Sequence, residues 1–387
     1  MSEWKKVKLG DCCEITSSKR CHASERSKEG IPFYCSKEII LLENGEEVRD
    51  SDFIPVELYE SIKHKYDVPK PGDLLLTTRG TNGIPYIYKD KDCFYFADGN
   101  LSWFKNFQKE LSVRYLYYWF KSHIGKHSVD SIAKGTAQKA VPIDGLRNLD
   151  IELPSFTIQH RIATILSRYD SLIENYQKQI KLLEEAAQRL YKEWFVDLHF
   201  PGHENTKITD GVPEGWTPSL LGQLAEFKRG KTITKKDAVE GDIPVVAGGL
   251  EPAYYCNKSN TAERVITVSG SGANAGFTRI YFEKVWASDC SFVDATTTPF
   301  LHFVYCFLKD NKTTIDNLQK GAAQPHVYAK DINSLSICIP IESVLTSFEG
   351  KASKYFDTIS SLQSQIHLLT EARDRLLPKL MSGEIAV

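Results

Sequence analysis

The chain has 387 residues, of which 42% are hydrophobic and 25% are charged. This length allows two or three domains, and the apolar content suffices for globular cores. The composition therefore excludes a disordered chain, a collagen-like rod and a small disulfide scaffold. Lysine and arginine number 48 against 50 acidic residues, so the formal net charge is −2. That balance argues against a histone-like protein and does not by itself support nucleic-acid binding.

The sequence shows no targeting segment, membrane span or metal motif. The N-terminus lacks the apolar segment of a signal peptide, and no stretch approaches the roughly 18 apolar residues of a membrane helix. The nine cysteines include no CxxC pair, and Cys12, Cys13, Cys21 and His22 fit no zinc spacing. We therefore expect a cytoplasmic protein with reduced thiols, no membrane association and no metal.

The first part of the chain mixes short strands with helices. Residues 73–78 and 86–88 predict two strands around a Gly/Asn turn, and residues 115–120 predict a buried helix. Apolar residues then recur at alternating spacings of four and three from Ile162 to Trp194. Such a 3.5-residue period is typical of a coiled-coil seam. A helix of about 33 residues is about 50 Å long, which is enough for a spacer.

The same order of elements follows a second time. Residues 265–268 and 279–282 predict strands, 300–305 a buried helix, and 348–380 a second seam with one polar position, Arg373. Because both copies keep the same register, we expect the two helices to pair as an antiparallel coiled coil rather than to be independent core helices. The predicted seam residues are Ile162, Leu166, Tyr169, Ile173, Tyr176, Ile180, Leu183, Leu190, Tyr355, Ile359, Leu362, Ile366, Leu369 and Leu376.

The two halves of the chain are related by two constant shifts. Lys134-Gly-Thr-Ala-Gln138 returns as Lys320-Gly-Ala-Ala-Gln324, a shift of 186 positions. At the front of each copy the shift is 212, as from Trp4 to Trp216. The difference means that the first copy carries 26 additional residues between these anchors. The sequence therefore predicts a tandem duplication.

Strands and helices that mix without regular alternation indicate an α+β fold, here with a pseudo-two-fold repeat. We predict globular domains at residues 1–153 and 215–339. Each is followed by a spacer helix, at 154–200 and at 340–387. Residues 201–214 are rich in glycine, proline and small polar residues, which predicts a linker between the copies.

No catalytic motif is visible. Gly270-Ser-Gly-Ala-Asn-Ala-Gly276 contains the GxGxxA form of a dinucleotide fingerprint, but a strand pattern follows it instead of the required helix. We interpret it as a glycine-rich turn between strands. The sequence also has no Walker lysine loop, HExxH, GxSxG or methylase Asn-Pro-Pro-aromatic string. It therefore predicts a binding protein without a cofactor of its own rather than an enzyme.

Four further strings stand out: the central segment 192–203, the entry 212–222 into the second globular part, Gln159-His-Arg-Ile162 after Pro154, and the C-terminal segment 371–383. Together they resemble the specificity subunit of type I restriction-modification systems. The resemblance covers essentially the whole chain. The second copy departs from it, because Pro340 is followed by Ile-Glu-Ser-Val, without the Gln or the Arg-Ile.

The resemblance implies two target recognition domains, each binding half of a bipartite, asymmetric site on double-stranded DNA. The coiled coil would set their separation, since about 50 Å matches roughly 15 base pairs. Two modification subunits, which carry S-adenosylmethionine and methylate adenine, would dock on the chain. Restriction subunits would use ATP for translocation and cleavage. Catalysis would then belong to the partners.

DNA is bound by Arg, Lys, Asn, Gln, Ser and Thr side chains on loops. We select such residues from the Gly turn and the repeated string of each copy, with phosphate candidates near each front strand. The repeated glycine, Gly135 and Gly321, is predicted to serve a positive φ rather than a contact. The predicted DNA-binding residues are Lys19, Arg20, Thr78, Arg79, Asn82, Lys134, Gln138, Lys139, Lys228, Arg229, Lys231, Ser269, Ser271, Asn274, Lys320, Gln324 and His326.

Two alternatives stand beside this hypothesis. The lack of basic excess favours an adaptor with two ligand-binding domains on a helical spacer and no nucleic acid. The missing methylase motifs argue against a fused restriction-methyltransferase. Residues 1–153 carry 23 basic and 23 acidic side chains, and residues 215–339 carry 13 and 12. If the chain binds DNA, each domain alone should bind weakly, and affinity should come from linked domains and partner subunits.

Overall fold

The computed structural model describes residues 4–135, 139–321 and 325–387. The chain forms two compact units: unit 1 comprises Met1–Asn175 and Ile366–Val387, and unit 2 comprises Tyr176–Gln365. Each unit contains one globular part together with a section of each long helix. No helix in the described ranges is both long and apolar enough to cross a membrane.

Unit 1 contains the first globular part, and its long helix α7 continues into unit 2. Its strands are β1 Lys5–Lys8, β2 Glu14–Thr16, β3 Ile31–Tyr34, β4 Asp52–Ile54, β5 Leu74–Thr77, β6 Pro85–Ile87, β7 Tyr95–Phe96, β8 Leu101–Lys105 and β9 Asp150–Leu153. Its helices are α1 Leu9–Cys12, α2 Ser36–Glu43, α3 Val56–Tyr66, α4 Val113–Lys121, α5 His123–Ile132, α6 Ile143–Arg147 and α7 Phe156–Tyr191.

Unit 2 contains the second globular part, and its final helix α12 runs back into unit 1. The strands are β10 Ile208–Thr209, β11 Val212–Pro213, β12 Thr217–Leu220, β13 Lys228–Arg229, β14 Ile243–Val246, β15 Tyr254–Cys256, β16 Val265–Ser269, β17 Thr278–Tyr281, β18 Trp286–Ala287, β19 Cys290–Asp294 and β20 Ser336–Ile339. The helices are α8 Leu221–Leu224, α9 Leu301–Asp310, α10 Lys312–Asn317, α11 Ala329–Asn333 and α12 Glu342–Met381.

The two globular parts share one sheet topology. Unit 1 has a four-stranded sheet in the order β2-β8-β5-β6, a three-stranded sheet β4-β3-β7 and the pair β1-β9. Unit 2 repeats these as β13-β19-β16-β17, β15-β14-β18 and β12-β20. In both three-stranded sheets the central strand has one antiparallel and one parallel neighbour. The α+β fold and the duplication are confirmed.

Strand register reproduces both predicted shifts. Lys5 faces Leu153 in the first terminal pair of strands, and Thr217 faces Ile339 in the second. The front partner is therefore displaced by 212 positions and the back partner by 186. This pairing links the start of each globular part to its end. The two copies therefore have equivalent terminal strand pairs.

Most of the additional residues of the first copy form two helices. Ile31 and Ile54 are paired 23 positions apart, whereas their counterparts Ile243 and Cys256 are 13 apart. The longer connection contains α2. The next connection, between β4 and β5, contains α3, whereas no helix lies between β15 and β16. The central strands of the repeated fold are therefore kept while surface connections differ.

Both long helices contribute to the core of each unit. In unit 1, Ile162 and Leu166 of α7 lie in one hydrophobic cluster with Leu380 and Met381 of α12. In unit 2, the later part of α7 shares a cluster with the earlier part of α12, which includes Phe348. The start of each helix thus packs with the end of the other, which makes the pair antiparallel, as predicted.

All fourteen predicted seam residues are buried or half-buried. Five of them, Ile162, Leu166, Ile173, Ile359 and Leu362, are buried. The other nine, Tyr169, Tyr176, Ile180, Leu183, Leu190, Tyr355, Ile366, Leu369 and Leu376, are half-buried. Neighbouring leucines that the pattern leaves outside behave differently, since Leu182 and Leu368 are each 63% exposed.

A polar side chain joins each long helix to its globular part. Gln159 of α7 is fully buried; its Nε2 donates to the carbonyls of Glu110 and Pro154, and its Oε1 accepts from the backbone N–H of Ser112, next to α4. The second copy lacks this glutamine. There, the Glu349 carboxylate of α12 accepts from the first backbone N–H groups of α9. In the second copy, Glu349 therefore takes the role of the missing glutamine and links the long helix to its globular part.

Candidate nucleic-acid interface

In unit 1 the Gly turn connects two strands of the four-stranded sheet. It follows Thr77, the last residue of β5, and returns to β6. The backbone N–H of Gly83 donates to the carbonyl of Thr77 at 2.8 Å, and the Thr77 hydroxyl donates to the carbonyl of Thr81 at 2.6 Å. These bonds close the turn and leave Arg79 exposed on it.

The residues that flank positions 136–138 pair with each other beside this turn. Lys134 and Ala140 exchange two backbone hydrogen bonds of 2.8 Å. Gly135 has a φ of 106°, a conformation that favours glycine, so the predicted reason for this glycine is confirmed. The N–H of Val141 donates to the carbonyl of Thr78 at 2.9 Å, which fixes the loop against the turn. Thr78 and Val141, which are 63 positions apart in sequence, thus bring the turn and the loop to one surface.

Unit 2 builds the same arrangement from its own turn and loop. Lys320 and His326 exchange backbone hydrogen bonds of 3.0 and 2.9 Å. Gly321 has a φ of 99°. The N–H of Val327 donates to the carbonyl of Gly270 at 3.1 Å. The glycine-rich string is therefore a turn between β16 and β17, as predicted.

Backbone pairing identifies which positions of the two sites correspond. Arg79 forms an isolated bridge with Ala140, and Ser271 forms the same bridge with His326. Lys134 and Lys320 each close their own loop. The scaffold is thus constant, and two of its positions differ between the units.

The predicted residues of unit 1 gather on this surface, except that one is internal. Arg79, Lys134 and Lys139 are exposed. The half-buried Asn82 donates from Nδ2 to the carbonyl of Lys139 at 3.2 Å, and its Oδ1 has no hydrogen-bond partner within the described part of the chain. Thr78 is only 4% exposed and supports the turn from inside. Gln138 lies outside the described residues.

Unit 2 shows the same division between surface and interior. Lys320 is exposed and forms an ion pair of 2.8 Å with Asp331. Ser271, Asn274 and His326 are half-buried. Ser269 is buried and donates to the carbonyl of Gly248 at 3.1 Å. Gln324 lies outside the described residues.

The residues predicted to contact DNA phosphates are exposed and lie at the edge strand of each four-stranded sheet. Lys19 follows β2, and its N–H donates to the Tyr95 hydroxyl at 2.7 Å. Lys231 follows β13, and its carbonyl accepts from the indole N–H of Trp286 at 2.7 Å. These lysines are 212 positions apart, so the first shift relates them. Three further candidates are also exposed: Arg20, Lys228 and Arg229.

Three residues at these sites are not among those predicted from the sequence. Asn100 and Asp289 lie at the start of β8 and β19, where their carbonyls accept backbone bonds from the two turns. Tyr328 is 39% exposed, stacks on His326 with ring centroids 5.9 Å apart, and has the Lys330 ammonium 5.8 Å from its ring. Aromatic rings interleaved with cations are frequent in nucleic-acid interfaces. The position of Tyr328 between His326 and Lys330 in the sequence is the pattern from which it could have been predicted.

Comparison with known proteins places most of the chain in one family. Residues 1–185 and 213–371 match the family described as the type I restriction modification DNA specificity domain. The specificity subunit of type I restriction enzyme MjaIX from Methanocaldococcus jannaschii is 29% identical over 343 residues, covering 82% of this chain and 78% of the relative. The putative MjaX specificity subunit of that organism is 24% identical over 413 residues, covering 100% and 94%.

A solved structure shows the same fold. The S subunit of a type I restriction-modification system from M. genitalium matches with a TM-score of 0.62 and 17% identity. The match covers 98% of this chain and 96% of that one.

Proposed function

Because the chain belongs to the family of type I restriction modification DNA specificity domains, we propose that it recognises a bipartite, asymmetric DNA site and is itself non-catalytic. The observation that carries this proposal is the turn-and-loop site, which is built twice on one scaffold with different side chains. Each unit would bind one half-site. Since Arg79 is replaced by Ser271 and Ala140 by His326, the two half-sites should differ in sequence.

Affinity in this proposal depends on several weak contributions. Neither globular part has a basic excess, since residues 1–153 carry 23 basic and 23 acidic side chains and residues 215–339 carry 13 and 12. Nonspecific attraction to phosphates grows with the number of cations at the interface. Each unit should therefore bind DNA weakly alone, and the complex should bind tightly because its parts are linked.

The partners in this proposal are two modification subunits, which would supply S-adenosylmethionine and methylate adenine, and restriction subunits, which would use ATP. The long helices support docking of more than one copy. Leu182 and Leu368 are related by the shift of 186, and both are 63% exposed. Equivalent apolar side chains on both helices suit two copies of one partner.

The test is to combine the chain with its cognate modification subunit, S-adenosylmethionine and genomic DNA, and to map methylated adenines. We expect one motif made of two specified parts with a fixed gap between them. Methylation without a two-part motif would contradict the proposal, as would methylation that does not require this chain. The adaptor alternative predicts no DNA-dependent activity, and family membership does not favour it.

A further inference from the structure

We propose that Asn100 in unit 1 and Asp289 in unit 2 are specificity-determining residues that read bases in the two half-sites, assisted by Arg79 and Ser271. This inference rests on the proposed function and deepens it. It assigns opposite hydrogen-bonding character to the two sites: unit 1 offers mainly donors, and unit 2 offers mainly acceptors.

Asn100 and Asp289 occupy the same place in the repeated scaffold. The N–H of Thr78 donates to the Asn100 carbonyl at 2.8 Å, and the N–H of Gly270 donates to the Asp289 carbonyl at 3.0 Å. Each residue directly precedes the strand that pairs with the strand leading into the turn. Both are half-buried at the base of the turn. The backbone thus places both residues at the same position beside the predicted interface.

At the candidate interface, the two units have the same lysines at equivalent positions, whereas their other polar residues differ. Lys134 corresponds to Lys320, and Lys19 corresponds to Lys231. Contacts to phosphate carry no sequence information, so the same lysine serves for any half-site. Sequence-specific contacts must instead differ between units that read different sequences. The variable position next to both turns is occupied by Asn100 in one unit and by Asp289 in the other.

In unit 1 the variable side chains are a guanidinium, which only donates, and an amide, which both donates and accepts. Arg79 is exposed, and neither its guanidinium nor the Asn100 amide has a hydrogen-bond partner among the described residues. Arginine binds the O6 and N7 acceptors of guanine in two hydrogen bonds, and asparagine binds N6 and N7 of adenine. Both groups are therefore available for a purine edge.

In unit 2 the same positions carry a carboxylate and a hydroxyl. Ser271 donates its O–H to Oδ2 of Asp289. Among the described residues no cation forms an ion pair with this carboxylate, and Lys320 of the adjacent loop pairs with Asp331 at 2.8 Å. A carboxylate next to DNA is repelled by the phosphates, and a hydrogen bond that it accepts from a base edge offsets this cost. The exocyclic amino group of cytosine or adenine is the donor that a base edge offers.

The experiment uses the full chain with its modification subunit and maps methylated adenines for the wild type, Asp289→Asn and Asn100→Asp. Asp289→Asn removes only the charge and converts one acceptor oxygen to a donor. We expect it to lower methylation of wild-type sites about 5- to 150-fold, with the preference altered at one position of one half-site. Asn100→Asp should alter one position of the other half-site.

A matched control is Asp242→Asn, which removes the same charge from an exposed residue of unit 2 that precedes β14. It should leave both half-sites unchanged. If Asp289→Asn fails to fold, as judged by thermal unfolding of the free chain, Ser271→Ala replaces it. Ser271→Ala frees the carboxylate from its internal donor and should alter the same half-site.

The outcomes separate the inference from the function on which it rests. A two-part motif for the wild type that stays unchanged in Asp289→Asn and Asn100→Asp would overturn the inference and leave the proposed function intact. Simultaneous change at both half-sites in either variant would also overturn it, because it would show a structural effect. If the wild type itself gives no two-part motif, the proposed function fails, and the inference fails with it.

Discussion

Arg373 and Asp170 form an ion pair within the helical pair of unit 1. Nη1 of Arg373 lies 2.7 Å from Oδ1 of Asp170, and the Tyr118 hydroxyl of α4 donates to Oδ2 at 2.5 Å. In unit 2 the positions related by the shift of 186 are Ala187 and Phe356, which are both buried in its core. One end of the seam is therefore polar and the other apolar, which distinguishes the two ends and opposes slippage of the register.

Arg373→Ala should lower the free energy of unfolding by about 1–3 kcal/mol, because Asp170 is left half-buried with a single donor. The double variant Arg373→Ala with Asp170→Phe copies the residues of unit 2. It should recover part of the loss, since replacing an ion pair by packed apolar groups is often neutral or stabilising. Urea unfolding of the full chain measures both. A double variant no more stable than Arg373→Ala would show that the two positions are not interchangeable between the units.

Substitutions of two adjacent leucines of α7 should affect different properties, one the stability of the chain and the other the docking of the modification subunit. Leu183 is half-buried in the seam, so Leu183→Lys should lower the free energy of unfolding by about 2 kcal/mol or more. Leu182 is 63% exposed, and Leu182→Lys should change the free energy of unfolding by less than about 0.5 kcal/mol. Binding of the modification subunit should weaken in Leu182→Lys despite normal stability. Unchanged thermal unfolding and assembly in Leu183→Lys would show that the seam assignment is wrong.

The sequence predicted the fold well where the two copies kept their spacing. Both shifts reappear in strand pairing because Lys5 and Leu153 are anchors at the two ends of one globular part. The buried helices α4 and α9 also follow their predicted segments. The ion pair of Arg373 with Asp170 could not be predicted, because it joins residues 203 positions apart through an antiparallel packing that only the structure fixes.

The candidate site was predicted in part. Exposed residues such as Arg79 and Lys134 follow from the turn and the repeated string, whereas the interior position of Thr78 depends on strand packing. Asn100 and Asp289 are 189 positions apart, a spacing that matches neither shift. Because insertions displace the middle of the first copy, only backbone hydrogen bonding shows that these two residues correspond.

Asp294 should make unit 2 sensitive to acid. Burial by itself would raise the pKa of this carboxyl, but hydrogen bonds from Thr296 and the backbone of Ala262 outweigh it and lower the pKa below its ordinary value. A carboxyl with a lowered pKa stabilises the folded state above the unfolded pKa of about 3.9 and loses this effect as pH falls through the folded pKa.

Asp294→Asn should therefore lower the free energy of unfolding by about 1–3 kcal/mol at pH 7. The difference from the wild type should shrink as pH falls below about 4. Urea unfolding at pH 7 and pH 3 tests this prediction. An equal difference at both pH values would mean that the carboxylate charge does not contribute.

The nine cysteines should differ sharply in reactivity. Cys93 is exposed, whereas Cys13 and Cys290 are buried. Burial raises the pKa of both buried thiols to about 12, so that little thiolate is present at neutral pH. Alkylation of the native chain at pH 8 should modify Cys93 and leave these two unmodified, as read by peptide mass spectrometry. The denatured chain, in which all nine react, is the control, and equal labelling in the native state would contradict the packing of both cores.

Arg79 and Lys134 lie on the same surface of unit 1 but should affect DNA binding differently. Arg79→Ala should lower selectivity about 5- to 150-fold at one position of one half-site, because a base contact is lost. Lys134→Ala should weaken binding to all sequences about equally and reduce the slope of log affinity against log salt by about one, because a phosphate contact is lost. Methylation mapping and salt-dependent binding of the complex measure these effects. If Arg79→Ala reduced methylation equally for every base at both half-sites, Arg79 would support the turn rather than read DNA.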